Sequence, residues 1–246
     1  LTDGNIQKKG IFENHFLNLS MRTFTITLFL VLFWNLSFPI GGDSSHGDIV
    51  KPKLFDRDCE LLYEEMNLNG LIQFNAFEAA FTGYKKLNNN NSILTVIDFS
   101  LPSTEKRMYV LDLEYKEVLF VSYVSHGRNS GENYATKFSN RNGSYQSSLG
   151  FYRTGSTYEG GNGYSLLLDG LEKGINDMAR SRAIVIHGAD YCSETVIHSS
   201  GRLGRSFGCP ALPRELTKPI IDAIKGGSLL FIYADQPDYL QKSKVI

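Results

Sequence analysis

The sequence predicts an α+β, mainly β protein with a short helical lead-in. Residues 56–87 carry apolar side chains at helical spacing, and six short runs rich in β-branched and aromatic residues follow between Ile93 and Tyr233. The 246-residue chain is 42% hydrophobic and 21% charged, the composition of a globular protein able to build a core. On this reading residues 43–91 are lead-in and linker, and residues 92–246 form the main body. The balance of 25 basic against 26 acidic residues leaves no electrostatic footprint for nucleic acid, which is therefore not an expected partner.

The N-terminal residues read differently. Residues 1–20 are polar, lack a steady apolar period and are read as an over-extended start. From Met21 the pattern is secretory: Arg22 is a positive n-region, Phe24 to Trp34 an apolar stretch, and Pro39, Gly41 and Gly42 a helix-breaking, small-residue end. A signal peptide over 21–42 is expected, with a periplasmic or cell-envelope location for the exported chain. The uncharged stretch from Thr23 to Gly42 is also long enough to anchor, although its Asn35 to Gly42 half is poor hydrocarbon filler. Membrane association is expected only if that segment stays uncleaved.

Asp56 to Asn69 places Cys59, Leu62 and Met66 at helical spacing, with Gly70 as the stop. Asn75 and Glu78 have capping-box spacing, and Phe77, Ala80, Phe81 and Tyr84 line one helix face suited to core packing. Asn88 to Ser92 is a polar break. Strands are expected at Ile93–Phe99, Met108–Leu113, Val118–Val124, Leu166–Leu168, Ala183–His187 and Leu229–Tyr233. The Gly/Ser/Asn-rich stretch from Ser125 to Gly163 reads as a long functional loop. Short helices are expected at Leu171–Ala179 and from Pro219, where proline suits a first turn.

Ile184-Val185-Ile186-His187-Gly188 is an apolar strand ending in histidine. Gly201 to Cys209 reads Gly-Arg-Leu-Gly-Arg-Ser-Phe-Gly-Cys, a Gly/Arg-rich loop ending in cysteine. A thiol attacks a carbonyl as thiolate, so it needs a proton acceptor and an electropositive setting. His187 suits the first need, Arg202 and Arg205 the second. Gly208 lets a substrate approach, and backbone N–H groups around Gly208 and Cys209 suit an oxyanion. Spacing alone leaves two readings open: a catalytic dyad, or a buried thiol and a strand-end histidine satisfied by its surroundings.

His187-Gly188-Ala189, followed by Gly201 to Leu212 with Ser206-Phe207-Gly208-Cys209, resembles the catalytic signature of the L,D-transpeptidase (YkuD-type) family. Gly204 to Ala211 resembles more closely the murein L,D-transpeptidase catalytic domain branch, in which an aromatic residue stands where the wider family has a second histidine. The likeness covers roughly residues 60–235, including Ser147 to Tyr152 as a variant of the family's Thr-Pro-x-Gly loop.

The resemblance implies a β-sandwich-like catalytic domain in which Cys209 is nucleophile and His187 its base. Gly208, Ser206, Arg205, Gly188 and Phe207 then surround the oxyanion and substrate. Phe207 departs from the wider pattern, since no second imidazole can help the oxyanion, and Ser148 replaces the loop proline. The implied reaction is acyl transfer on peptidoglycan tetrapeptide stems, releasing D-alanine and forming 3-3 cross-links. Arg205 is the residue expected to meet a stem carboxylate. A carboxypeptidase or Cys/His peptidase that trims stems would use the same residues, and a silent wall-binding module would use neither Cys209 nor His187.

Cys192 lacks a glycine-flanked turn and is the weaker nucleophile candidate; it is a potential disulfide partner of Cys59. His126 reads as a loop residue and His198 as a solvated one. Asp169, Asp177 and Asp190 show no metal-cage spacing, so neither a metal nor another cofactor is expected.

Overall fold

The computed structural model describes residues 57–246. The readings of residues 1–20 and 21–42, and the start of the lead-in, lie outside the described residues.

Among the described residues two helices precede the sheet: α1 (Arg57–Glu65) and α2 (Phe74–Leu87). The first stops before Gly70, because Asn67 turns into the left-handed region at φ 52°. The N–H groups of Asn67 and Leu68 then close on the Glu64 and Tyr63 carbonyls at 2.9 and 3.1 Å, a Schellman-type ending built on asparagine. In α2, Phe77, Ala80 and Phe81 form the buried face, and the Phe77 and Phe81 rings stack at 5.9 Å. The anticipated capping box does not form. Asn75 already lies inside the helix, and its side-chain amide donates to the Tyr233 hydroxyl at 3.1 Å.

Eight strands follow: β1 (Ile93–Asp98), β2 (Met108–Asp112), β3 (Glu117–Ser122), β4 (Gly150–Gly160), β5 (Gly163–Gly170), β6 (Val185–Gly188), β7 (Ala211–Leu212) and β8 (Leu229–Tyr233). They form one sheet in the order β3-β2-β1-β8-β4-β5-β6-β7. β8 is buried throughout and lies parallel to β1 and antiparallel to β4, as its unbroken apolar run suits. Beyond β3, Ser125 bridges Ala211 of β7, so the two ends of the sheet meet and the sheet curls around its core. The body is therefore mainly β, in the α+β class. Phe151 of β4 stacks on Phe231 of β8 at 4.2 Å and packs against α2, where a Cβ on Gly83 would lie 2.1 Å from the Phe151 ring. Any larger residue at position 83 would push the helix off the sheet.

The structure departs from the sequence reading in several places. The last part of the expected loop between Ser125 and Gly163 is the strand β4, whose first residues are buried against β8 while its Gly/Ser/Thr-rich end is exposed against β5 alone. Residues 171–179 form turns, not a helix: Gly174 has φ 78°, and the Asn176 side chain takes the Glu172 N–H and donates to the Leu149 and Phe151 carbonyls. Helix α3 (Glu194–Ser200) and the C-terminal α5 (Pro237–Lys242) were not expected. Helix α4 (Arg214–Ile224) begins after Pro213 and carries Pro219 in its interior. Among the described residues no helix is long and apolar enough to cross a membrane.

Candidate active site

His187 sits on β6, whose neighbours are β5 and the short parallel strand β7. Its ladder partner in β7 is Ala211, so Cys209 precedes that partner by two residues, about 7 Å along the strand direction. Fold topology thus sets the loop cysteine at the entrance to β7, beside the strand that carries the histidine. The imidazole is buried, and Nδ1 lies 3.0 Å from the Gly188 carbonyl. A carbonyl only accepts, so Nδ1 carries the proton and Nε2 keeps its lone pair in the neutral ring. Burial holds the ring's pKa below the ordinary histidine value, opposed by the Gly188 bond and assisted by Arg214. His187 is therefore a neutral acceptor at neutral pH.

The loop that carries Cys209 is fastened from both sides. Ser206 donates its N–H to the His126 carbonyl at 3.0 Å and accepts from the Arg128 N–H at 2.7 Å. Its hydroxyl donates to the Cys209 carbonyl at 2.6 Å and accepts from the Gly208 N–H at 3.0 Å. Ser147, from the loop before β4, donates to the Gly208 carbonyl at 3.1 Å and accepts the Gly127 N–H at 3.0 Å. Gly208 has φ 126°, and a Cβ there would lie 2.9 Å from the Gln146 carbonyl oxygen and 3.1 Å from Ile184. Only glycine meets that backbone and that space.

Cys209 is partly exposed, and its thiol donates to the Ala183 carbonyl at 3.6 Å. Burial pushes the thiol up from its ordinary value; the Val185 N–H and Arg182 pull it down. This differs from the expected thiolate-favouring field of Arg202 and Arg205. Both of those guanidiniums are held by Glu132, at 3.0 and 2.7 Å, and Arg205 also donates to the Arg128 and Gly131 carbonyls. Arg205 is thereby engaged within the chain, where the sequence left it open to a substrate carboxylate.

The cation beside the cysteine is Arg182, which sequence reasoning did not single out. Nothing local distinguishes it from Arg180, two residues earlier, which pairs with Asp169 on the surface at 2.6 Å. Phe207 is 64% exposed at the mouth of the site, its ring 4.9 Å from that of Tyr145 and under the Arg128 guanidinium at 5.7 Å. Gly188 contributes the carbonyl that orients His187.

The other expected candidates lie apart from this cluster. Cys192 is wholly buried in a small apolar group with Ala189, Leu203 and Ala211, while Cys59 packs in the main core. Burial pushes the Cys192 thiol up to about 12. His126 is buried behind the loop, with Nδ1 accepting from Arg107 at 2.8 Å and Nε2–H directed at the Gly131 carbonyl at 3.3 Å. Its loop role is structural in this geometry. Among the described residues no group of three or more His, Cys, Asp or Glu converges as metal ligands.

The model of the L,D-transpeptidase catalytic domain matches residues 68–233, a stretch that runs from the end of α1 to β8 and includes both His187 and Cys209. The chain belongs to the L,D-transpeptidase catalytic domain family. The curved, mainly β body is this transpeptidase family's domain. Solved structures similar to this family member include an L,D-transpeptidase from Mycobacterium smegmatis, at 15% identity and a TM-score of 0.36 over 58% of this chain and 59% of that one. L,D-transpeptidase 1 from Mycobacterium tuberculosis is also similar, at 15% identity and 0.32 over 58% and 62%. An L,D-transpeptidase from Stackebrandtia nassauensis matches at 12% and 0.36 over 73% and 79%. The chain thus spans less than two thirds of the length of the two mycobacterial proteins. No curated protein matches the sequence.

Proposed function

We propose that the protein is an exported cysteine L,D-transpeptidase of the cell envelope that acts on peptidoglycan tetrapeptide stems. The observations that support the reading are a neutral His187 on β6, its Nε2 lone pair free of the Gly188 bond, and a partly exposed Cys209 in the loop that leads into the adjacent strand β7. The thiol proton passes to Nε2 as sulfur bonds to the carbonyl carbon of the stem's third residue. The C–N bond to D-alanine then breaks, and His187 returns the proton to the departing amine. A thioester remains on Cys209. Attack by the amine of a second stem restores the thiol and leaves a 3-3 cross-link; attack by water leaves a shortened stem.

The remaining residues take supporting roles in this reading. Gly208 already donates its N–H to Ser206, so the Cys209 N–H is the proposed oxyanion donor, with Ser206 holding the turn. Gly188 keeps His187 in the productive tautomer. Arg205 holds the loop through Glu132, and Phe207 lines the mouth where a stem approaches. Export rests on Arg22 and the apolar stretch from Phe24 to Trp34, and N-terminal sequencing of envelope protein tests it.

Intact-protein mass after incubation with a carbapenem tests the nucleophile, with one adduct expected on Cys209 and none on its Ala variant. Product masses from a purified tetrapeptide muropeptide separate joining from trimming. Loss of D-alanine with dimer formation is expected; unchanged muropeptide with no adduct rejects the enzyme reading in favour of a wall-binding module.

A further inference from the structure

We infer that Arg182 is the fixed cation that stabilises the Cys209 thiolate when His187 takes the thiol proton. The inference rests on Cys209 being the nucleophile. Arg182 lies in the turn segment ahead of β6, and its guanidinium is wedged between the catalytic loop and residues 139–148. Nη1 donates to the Ser139 carbonyl at 2.7 Å and to the Ser148 hydroxyl at 3.2 Å. Nη2 donates to the Gln146 carbonyl at 2.6 Å and to the Ser144 hydroxyl at 3.3 Å. A Cβ on Gly208, the residue before the nucleophile, would lie 3.4 Å from Nη2.

All four partners are uncharged oxygens, and among the described residues no carboxylate pairs with Arg182. Four other arginines behave otherwise: Arg180 pairs with Asp169, Arg214 pairs with Asp190, and Arg202 and Arg205 share Glu132. A guanidinium held by four dipoles keeps its full charge and its position, and the half-buried setting leaves that charge poorly screened.

The other titratable groups around Cys209 supply no competing charge. His187, from β6, is neutral. Tyr191, after β6, is kept protonated by burial and by the cysteine itself. Tyr152 of β4, behind Ser148, is kept protonated by burial. Burial of the thiol opposes ionisation, and Arg182 is the cation working against it.

The experiment is the rate of Cys209 alkylation by iodoacetamide against pH, read by peptide mass, in the wild type, Arg182→Gln and Arg182→Lys. Alkylation reports thiolate whether or not the protein turns over a muropeptide, so failure of the transpeptidase reading leaves this result independent. Arg182→Gln is expected to raise the apparent pKa by about one unit, slowing alkylation about tenfold below it, and Arg182→Lys to stay within about 0.3 unit. Coincident wild-type and Gln profiles overturn the inference, as does a Lys profile displaced as far as that of Gln. If circular dichroism finds Arg182→Gln unfolded, the wild type decides through reagent charge. Anionic iodoacetate should gain on neutral iodoacetamide relative to free cysteine and lose that gain as salt rises; a ratio equal to that of free cysteine, indifferent to salt, overturns it.

Discussion

The Cys209 thiol donates to the carbonyl of Ala183, and Ala183 is held in the left-handed region at φ 53°. A non-glycine residue there is strained, and the strain turns a carbonyl toward the sulfur that a regular strand entry would aim elsewhere. The resting Cys209 side chain is therefore a protonated, hydrogen-bonded thiol.

It follows that the free protein's Cys209 should alkylate with an apparent pKa above the ordinary thiol range, because burial outweighs the cation and the Val185 N–H. Cys192, pushed up to about 12, should stay unmodified from pH 7 to 9. Peptide-resolved alkylation across pH measures both, and modification of Cys192 ahead of Cys209 would contradict the assignment. Cys192→Ala should leave acyl-enzyme formation intact while lowering stability by about 1–2 kcal/mol through the cavity it opens.

Gly208→Ala should lower stability by about 1–3 kcal/mol, since alanine strains the φ of 126° and meets the Gln146 carbonyl. The displaced loop should slow acylation by one or more orders of magnitude. Urea unfolding and carbapenem adduct kinetics read the two effects, and wild-type values in both would show that the turn tolerates a side chain.

Phe207→Ala should barely affect the fold. Its ring is 64% exposed and contacts chiefly Tyr145 and Arg128, so a loss below about 1.5 kcal/mol is expected in thermal unfolding. A larger loss would mean that the ring supports the loop that carries Cys209.

His126 should make stability sensitive to acid. Burial, then the Arg107 charge, lowers its pKa to about 3 in the folded state, against an ordinary value of 6.5. Between these values the unfolded chain binds the extra proton, so the stabilising contribution is complete above about 6.5 and falls away as pH drops toward about 3. His126→Asn keeps an acceptor for Arg107 but cannot titrate. The stability difference between wild type and variant should shrink steadily from pH 7 to pH 4 in urea titrations; a constant difference would remove His126 from the acid response.

The parts legible in the sequence were those with a strong local signature. β8 was delimited by its unbroken Leu-Leu-Phe-Ile-Tyr run, and α2 by the Phe77, Ala80, Phe81 face. β4 escaped because glycine, serine and threonine dominate its exposed half, so its pairing with β5 leaves little apolar alternation. Residues 171–179 escaped for the opposite reason, since their spacing was helical but the Asn176 side chain claims the backbone groups a helix would use. At the site, the Gly-Cys and strand-end His signals were readable. Arg182 was not, because its significance lies in lacking a carboxylate, which is a property of three-dimensional neighbours.

The position of β8 has a consequence for how the chain is assembled. Leu94 at the start of β1 lies opposite Leu229 of β8, the last of the eight strands in chain order, and β8 is the strand that joins β1 to β4. The sheet's centre is therefore the last strand to be synthesised. Until residues 229–233 arrive, β1 to β3 and β4 to β7 share no strand pairing through the middle of the sheet. Such distant contacts favour slow, late folding, and a chain cut short before β8 should present two open sheet edges prone to pairing with other chains.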